Sequence, residues 1–228
     1  MTMIGDKLQK VQARIVTACT AAGRDPASVR LLAVSKTFGA DAVREALAAG
    51  QPAFGENYVQ EGVAKIEALA DCRGHIEWHC IGPLQSNKTR VVAAHFDWVQ
   101  SVDRLKIAER LAEQRPEASG VLNVCLQVNV DGGANKSGVA PDELLPLAHA
   151  VARLPRLRLR GLMAIPEPAP DFEAQRALFL RAAALFDRLR EEGLGVDTLS
   201  LGMSADLEAA IAAGSTMVRV GTAIFGGR

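Results

Sequence analysis

Aromatic residues are scarce in this chain of 228 residues: seven Phe, two Trp and a single Tyr, 4% in all. That leaves few rings on which nucleic-acid bases could stack. An excess of charge of either sign is missing too, because 26 Lys and Arg face 26 Asp and Glu. The neutral balance argues against a nucleic-acid footprint and against polybasic attachment to a membrane. Apolar runs of the ~20 residues that span a bilayer are absent, and the stretch Met1 to Lys7 offers no core of a signal peptide. The four cysteines, Cys19, Cys72, Cys80 and Cys125, form no CxxC pair. Without a secretion signal they read as reduced thiols of a cytoplasmic protein. What is present is ordinary for a globular chain, 49% hydrophobic and 23% charged, and long enough to bury a sizeable core.

Hydrophobic period alternates along the chain. Ile4, Leu8, Val11, Ile15 and Ala18 mark an opening helix, stopped by Gly23 and Pro26. The run from Leu31 to Ser35 then reads as a strand buried on both faces. Further strands are expected at 52–54, 76–81, 96–100, 121–130, 157–163, 198–200 and 216–220. Helices are expected between them, beginning near Asp41, Val59, Ser86, Asp103 and Pro141, along the stripe Leu178 to Leu189, and from Ala205 to Ala213. Eight strands, each but the last followed by a helix, predict an α/β protein: a (β/α)8 TIM-type barrel with an extra N-terminal helix. An open doubly wound sheet is the alternative, since periodicity does not show closure. With no linker or low-complexity stretch, residues 1–228 read as a single domain. Two details fit poorly: Arg156, Arg158 and Arg160 alternate with leucines like a half-exposed strand, and Pro146 should kink its helix or shift its start.

A barrel builds its site from the C-terminal ends of its strands and often binds phosphate after strands seven and eight. Lys36 follows the first strand. From a dry wall it would enter the mouth with a depressed pKa, as an amine able to form a Schiff base with an aldehyde. A solvated loop lysine is the other reading. After the seventh strand, Gly202 and Ser204 stand where a helix begins. That suits either an anion site or a plain N-cap, and Asp206 and Glu208 would partly offset the attraction for an anion. Arg219 lies between valines on the eighth strand and needs a partner there, an internal ion pair or a ligand. Gly221 and Thr222 add close backbone approach and a hydroxyl. Together, the three strand ends suggest a phosphorylated aldehyde cofactor.

Several segments carry a resemblance: Ala33-Val34-Ser35-Lys36-Thr37, Phe54-Gly55-Glu56-Asn57, Trp78 to Lys88, Gly161 to Pro166, Leu201 to Ile211 and Val218 to Gly226. The chain resembles the pyridoxal phosphate homeostasis protein family, which is similar to the barrel domain of alanine racemases. The resemblance implies pyridoxal 5′-phosphate (PLP) on Lys36, phosphate contacts from Ser204, Gly221 and Thr222, and Arg219 beside the pyridine nitrogen. A permanently charged arginine there disfavours a protonated ring and weakens it as an electron sink.

Other positions are open between two roles. Asn57 could bond the ring's phenolic oxygen or cap the next helix. Met163 and His79 could pack on the ring or belong to the core. Lys136, in the glycine-containing loop 129–138, reads as a second aldehyde-reactive amine, a lid contact or a surface lysine. The segment Gln85 to Lys88 has no role beyond a helix cap. His75 and His79 do not share a helix face, so no metal site is expected.

The function that follows is intracellular PLP homeostasis, by buffering the cofactor or delivering it to PLP-dependent apo-enzymes. The protein would be a monomer or weak dimer without dedicated catalysis. A small PLP-dependent amino-acid racemase is the alternative. It would need a second acid or base opposite Lys36, and the sequence past the barrel offers none; Tyr58 is the only tyrosine.

Overall fold

The computed structural model describes residues 2–132 and 137–227. Its eight strands are β1 (Arg30–Val34), β2 (Ala53–Glu56), β3 (Glu77–Cys80), β4 (Trp98–Val102), β5 (Leu122–Gln127), β6 (Leu157–Met163), β7 (Thr198–Ser200) and β8 (Met217–Val220). All neighbours pair in parallel, and β1 pairs with β8 from Arg30↔Met217 to Ala33↔Val220. That pairing closes the barrel and overturns the open-sheet alternative.

The helices are α1 (Met3–Ala21), α2 (Ala40–Ala48), α3 (Val59–Ala68), α4 (Thr89–His95), α5 (Leu105–Gln114), α6 (Leu144–Ala152), α7 (Phe172–Glu191), α8 (Leu207–Ala212) and α9 (Thr222–Phe225). The last was not expected, since β8 read as ending the alternation. α9 is too short to cover a barrel flank. α1 packs against α2, α8 and α9 and buries Leu8, Val11, Ile15 and Cys19. The extra N-terminal helix therefore takes the eighth place in the ring.

Outward strand residues, among them Phe54, Trp78, Val99, Val124 and Val218, form one core with the helices. Two smaller apolar groups, Leu32, Val34, Ala53, Ile81 and Met217, and Trp98, Cys125 and Met163, are separate from it and fill the barrel. Inward and outward positions alternate along each strand, which keeps the two cores apart.

The poorly fitting details have physical causes. Pro146 stands in the first turn of α6, where its missing N–H has no helical partner to lose. Arg160 faces the N-terminal mouth of the barrel, over the Trp98 ring at 4.6 Å, and pairs with Asp197 at 2.7 Å. Arg158 is exposed, while Leu157 and Leu159 are buried against the helices. Expected helix starts shift as well: Asp103 pairs with Arg104 and does not cap α5, and a 3-10 turn at Ser86–Lys88 precedes α4.

The cysteines are free. Burial pushes the Cys80 and Cys125 thiols up to about 12 and also raises Cys19, so none of these three offers a thiolate near neutral pH. In the native protein a thiol-directed reagent is expected to label Cys72 alone, with the other three reacting only after denaturation. Mass mapping of the labelled peptides checks it, and rapid native labelling of Cys125 would contradict the closed barrel.

Candidate functional site

A cavity of about 340 Å³ opens at the C-terminal mouth, and Lys36, Asn57, Ser204, Arg219, Gly221 and Thr222 all line it. Met163 does not; it is fully buried with Trp98 and Cys125 inside the barrel. Ile81, Ile165 and Met203 supply apolar wall that the sequence did not single out. A larger groove of about 680 Å³ lies among α1, α7 and α8, where alanines alternate with charged side chains such as Lys10, Arg14, Arg176 and Glu208. The mouth cavity is the better site by position and chemistry: it lies at the C-terminal strand ends, and the buried Arg219 and the unpaired Asn57 oxygen stand at it, whereas the groove lies on the outer helix layer.

Lys36 stands two residues beyond β1 and is exposed. The dry wall expected around it is absent, because the chain turns outward at once: Thr37 takes a left-handed φ of 69°. Phe38 then stacks on Phe225 of α9 at 5.3 Å, joining the loops after β1 and β8 across one side of the cavity.

Asn57 follows β2. Its side-chain oxygen is buried without a hydrogen-bond partner, and it does not cap α3, whose cap residue is Tyr58. Its amide can present either oxygen or NH2. Gly82 seats it from the loop after β3, since a Cβ there would lie 2.1 Å from the Asn57 carbonyl oxygen.

Ser204 lies in the turn before α8 and does not cap it; the cap position is Asp206. The feared repulsion from carboxylates is largely answered. Asp206 accepts from the Met203 N–H at 2.6 Å, closing the turn on itself. Glu208 is held by Nε and Nη2 of Arg14 from α1, and Nη2 also donates to the Ser204 carbonyl at 3.1 Å.

Arg219 is 3% exposed. Among the described residues it makes no ion pair of the kind the sequence left open. It donates instead to neutral oxygens: the Ser200 carbonyl at 2.7 Å, the Ser200 hydroxyl at 2.8 Å and the Ala164 carbonyl at 3.1 Å. Burial lowers it to about 10, so it is charged at neutral pH.

Because arginine only donates, the polarity of the chain below it is determined. Ser200 Oγ donates to Gln100 Oε1 at 2.7 Å. Gln100 Nε2 then donates to His79 Nδ1 at 2.9 Å, leaving Nε2–H of His79 to donate to Glu77 at 2.8 Å. Arg30 closes the line on Glu77 at 2.9 Å. His79 therefore belongs to the core; it stacks on Trp98 at 4.9 Å. Burial depresses its pKa, only partly countered by Glu77, so it is neutral. Burial pushes Glu77 up, but the bonds from His79 and the charge of Arg30 win and hold it at about 2. Gln100 and Ser200 were missed in the sequence; polar residues in otherwise apolar strands were the available signal.

No group of three or more His, Cys, Asp or Glu side chains able to hold a metal occurs among the described residues. Lys136 lies outside the described residues. The Gln85 to Lys88 segment is structural on this geometry, with the Ser86 carbonyl accepting from Thr89 and Arg110.

The residues fit a phosphorylated aromatic aldehyde. Asn57 has an unpaired polar atom at the cavity, Arg219 is a charged group held by neutral partners, and a hydroxyl pair stands beside glycine. Barrel and mouth together define a protein of the alanine racemase N-terminal type, and that domain family matches residues 7–228. Similarity over the whole chain narrows the class. A Pseudomonas aeruginosa protein named pyridoxal phosphate homeostasis protein is 61% identical over 100% of this chain and 97% of its own. Its namesake in Escherichia coli K12 is 55% identical over 100% and 98%. The solved structure of PipY from Synechococcus elongatus with PLP bound is 38% identical, covers 98% of this chain and 100% of its own, and superposes with a TM-score of 0.85. The chain belongs to the pyridoxal phosphate homeostasis protein family.

The line from Glu77 to Arg219 has a consequence for stability. Because His79 has a depressed pKa in the fold, the unfolded chain binds the extra proton, and stability falls as pH drops below about 6.5. Glu77 adds to the loss between 4.5 and about 2. Each unit of pKa depression corresponds to about 1.4 kcal/mol, or roughly 3–6 °C in Tm at this chain length. Tm measured from pH 8 to 5 is expected to fall on the acid side for wild type and to flatten in His79→Gln; equal slopes would remove His79 from the account.

Proposed function

We propose that this protein holds pyridoxal 5′-phosphate as a Schiff base on Lys36 and serves intracellular PLP homeostasis, buffering the cofactor or delivering it to PLP-dependent apo-enzymes. The observation that carries the proposal is the convergence of Lys36, Ser204, Arg219, Gly221 and Thr222 on one cavity at the barrel mouth. The names of the relatives at 61% and 55% identity and the PLP-bound PipY structure support it.

In this reading the Lys36 amine takes the aldehyde, and Asn57 bonds the phenolic oxygen. The hydroxyls of Ser204 and Thr222 and the backbone at Gly221 bond the phosphate, and Arg219 faces the pyridine nitrogen. Met163 contributes through the barrel core. When bound, the cofactor supplies an electron-withdrawing ring, which a fixed positive charge at its nitrogen keeps weak as a sink. The chain works as one domain in the cytoplasm, as a monomer or weak dimer. No helix among the described residues is long and apolar enough to cross a membrane.

Buffering is favoured over racemisation by what faces the cavity. Among its described lining residues, Lys36 and Arg219 are the only ionisable side chains, with no carboxylate, imidazole or phenol. Two-base racemisation needs a second proton carrier across the substrate carbon, and Tyr58 is 57% exposed and outside the cavity lining.

Borohydride treatment of the PLP-loaded protein is expected to fix one pyridoxyl adduct on Lys36 by peptide mass mapping, and none there in Lys36→Ala. An unmodified Lys36 in the wild type would overturn the reading. Incubating the loaded protein with free amino acids in D2O is expected to give no sustained α-proton exchange; exchange with inversion at ordinary enzyme rates, about 1 per second or faster, would make it a racemase.

A further inference from the structure

Beneath Lys36 lies a buried ionic cluster that the cofactor reading does not use. Lys65 of α3 is 5% exposed and Glu56 of β2 is 1% exposed. The three donors of the Lys65 ammonium are all taken: Glu56 Oε1 at 2.8 Å, Glu61 Oε1 at 2.7 Å and the Ser35 carbonyl at 2.7 Å. The Ser35 hydroxyl donates to Glu56 at 2.5 Å, and the Thr37 N–H donates to Glu61. The cluster thus grips the backbone on both sides of Lys36, by its preceding carbonyl and its following N–H. Between those grips Thr37 is one of only two described non-glycine residues with positive φ, a conformation that costs a β-branched residue strain.

A buried ion cluster is a poor source of stability, since apolar side chains of similar size often serve as well. Burial pushes the Glu56 carboxyl up, opposed by Lys65 and Ser35. Such a cluster is better explained by what it holds. We propose that Lys65, Glu56 and Glu61 are positioning residues that lock the Ser35–Thr37 turn, so that the Lys36 amine is presented to an incoming aldehyde in one orientation. The inference rests on the reading of Lys36 as the PLP-reactive amine. In that step the Lys36 nitrogen bonds to the aldehyde carbon and the carbonyl oxygen leaves as water. A preset amine approaches the carbonyl without first freezing its backbone, and a misplacement near 1 Å can cost as much as ~100-fold in rate.

Two variants test this, with free PLP as the probe. Glu61→Leu removes the Thr37 anchor at a partly exposed position and leaves the Lys65–Glu56 pair in place. Lys65→Met/Glu56→Gln removes the ionic grip while leaving the Ser35 hydroxyl an acceptor. In the apo protein, hydrogen exchange at the Thr37 amide is expected to speed up in both, with the barrel's melting transition retained. The rate of PLP capture, read as borohydride-fixed adduct on Lys36, is expected to fall by about threefold in the first and about tenfold or more in the second. Adding Thr37→Gly to the double variant is expected to restore part of the rate, because glycine takes positive φ without strain. Wild-type capture rate and amide protection in folded Glu61→Leu would overturn the inference. If the double variant does not fold, the cluster is structural and the inference is overturned for Lys65 and Glu56. Lys36→Ala separates the layers: a pyridoxyl adduct that persists at full yield elsewhere in that variant refutes the cofactor reading, whereas its loss together with unchanged Glu61→Leu refutes only the positioning.

Discussion

A guanidinium cannot shed its charge to escape a dry environment, so burying one obliges the surroundings to answer it. Arg219 imposes that obligation on the whole barrel interior. Its donors take the Ser200 hydroxyl and two carbonyls. That forces Ser200 to donate onward to Gln100, Gln100 to His79, and His79 to Glu77. Every side chain in the line has one polarity, determined by the arginine at its head. A polar thread therefore runs down a barrel otherwise packed with Leu32, Met217, Trp98 and Cys125, and it ends on a carboxylate held ionised at the opposite mouth. The interior is ordered by hydrogen bonds as well as by shape, and the uppermost link is the group that faces the cavity.

The ring of helices serves the same mouth. α9 covers too little, and α1 fills the gap it leaves. From there Arg14 holds Glu208 and the Ser204 carbonyl, while Arg24 donates to the Ile211 carbonyl in the last turn of α8 and to the Ser215 carbonyl beyond it. Two arginines flanking the end of one N-terminal helix thus strap the β7–α8–β8 segment at both ends. The loop that offers Ser204 is tied to the helix that completes the ring, which links cavity geometry to the packing of the N-terminus.

Much of this was legible in sequence, and the rest was hidden for identifiable reasons. Parallel strands buried on both faces announce themselves as short apolar runs, so all eight strands were found and β6 and β7 were bounded as observed. Lys36, Asn57, Ser204, Arg219, Gly221 and Thr222 stood out because polar groups at strand ends have one place to go in a barrel. For Met163 the sequence left ring and core both open, because alternation says which side of a strand a residue takes, whereas depth along the barrel axis depends on stagger and on the register shift between β5 and β6. For Lys36 the sequence left a dry wall and a solvated loop both open, and the exposed reading holds: a single left-handed residue, Thr37, turns the chain there, and Thr carries no signal for that conformation. The Lys65 cluster was missed because Glu61 and Lys65, four apart on α3, look like any exposed helical pair; only the fold brings Glu56 and the Ser35 carbonyl beneath them.

A site that stores a cofactor and a site that uses one differ less in what binds than in what surrounds the reacting carbon. Use requires proton carriers aimed at that carbon from fixed directions, and water kept out while they act. Storage requires an amine that captures and releases an aldehyde, anchors for the phosphate, and access for whatever takes the cofactor away. Here Lys36 is exposed, the loops after β7 and β8 carry the groups proposed to anchor the phosphate, and the described lining offers no second acid or base. The elaborate part of the structure lies behind the reactive groups: the polar thread under Arg219 and the ionic cluster under Lys36. Both brace side chains that line the cavity without entering it, which is the arrangement the proposed binding role calls for.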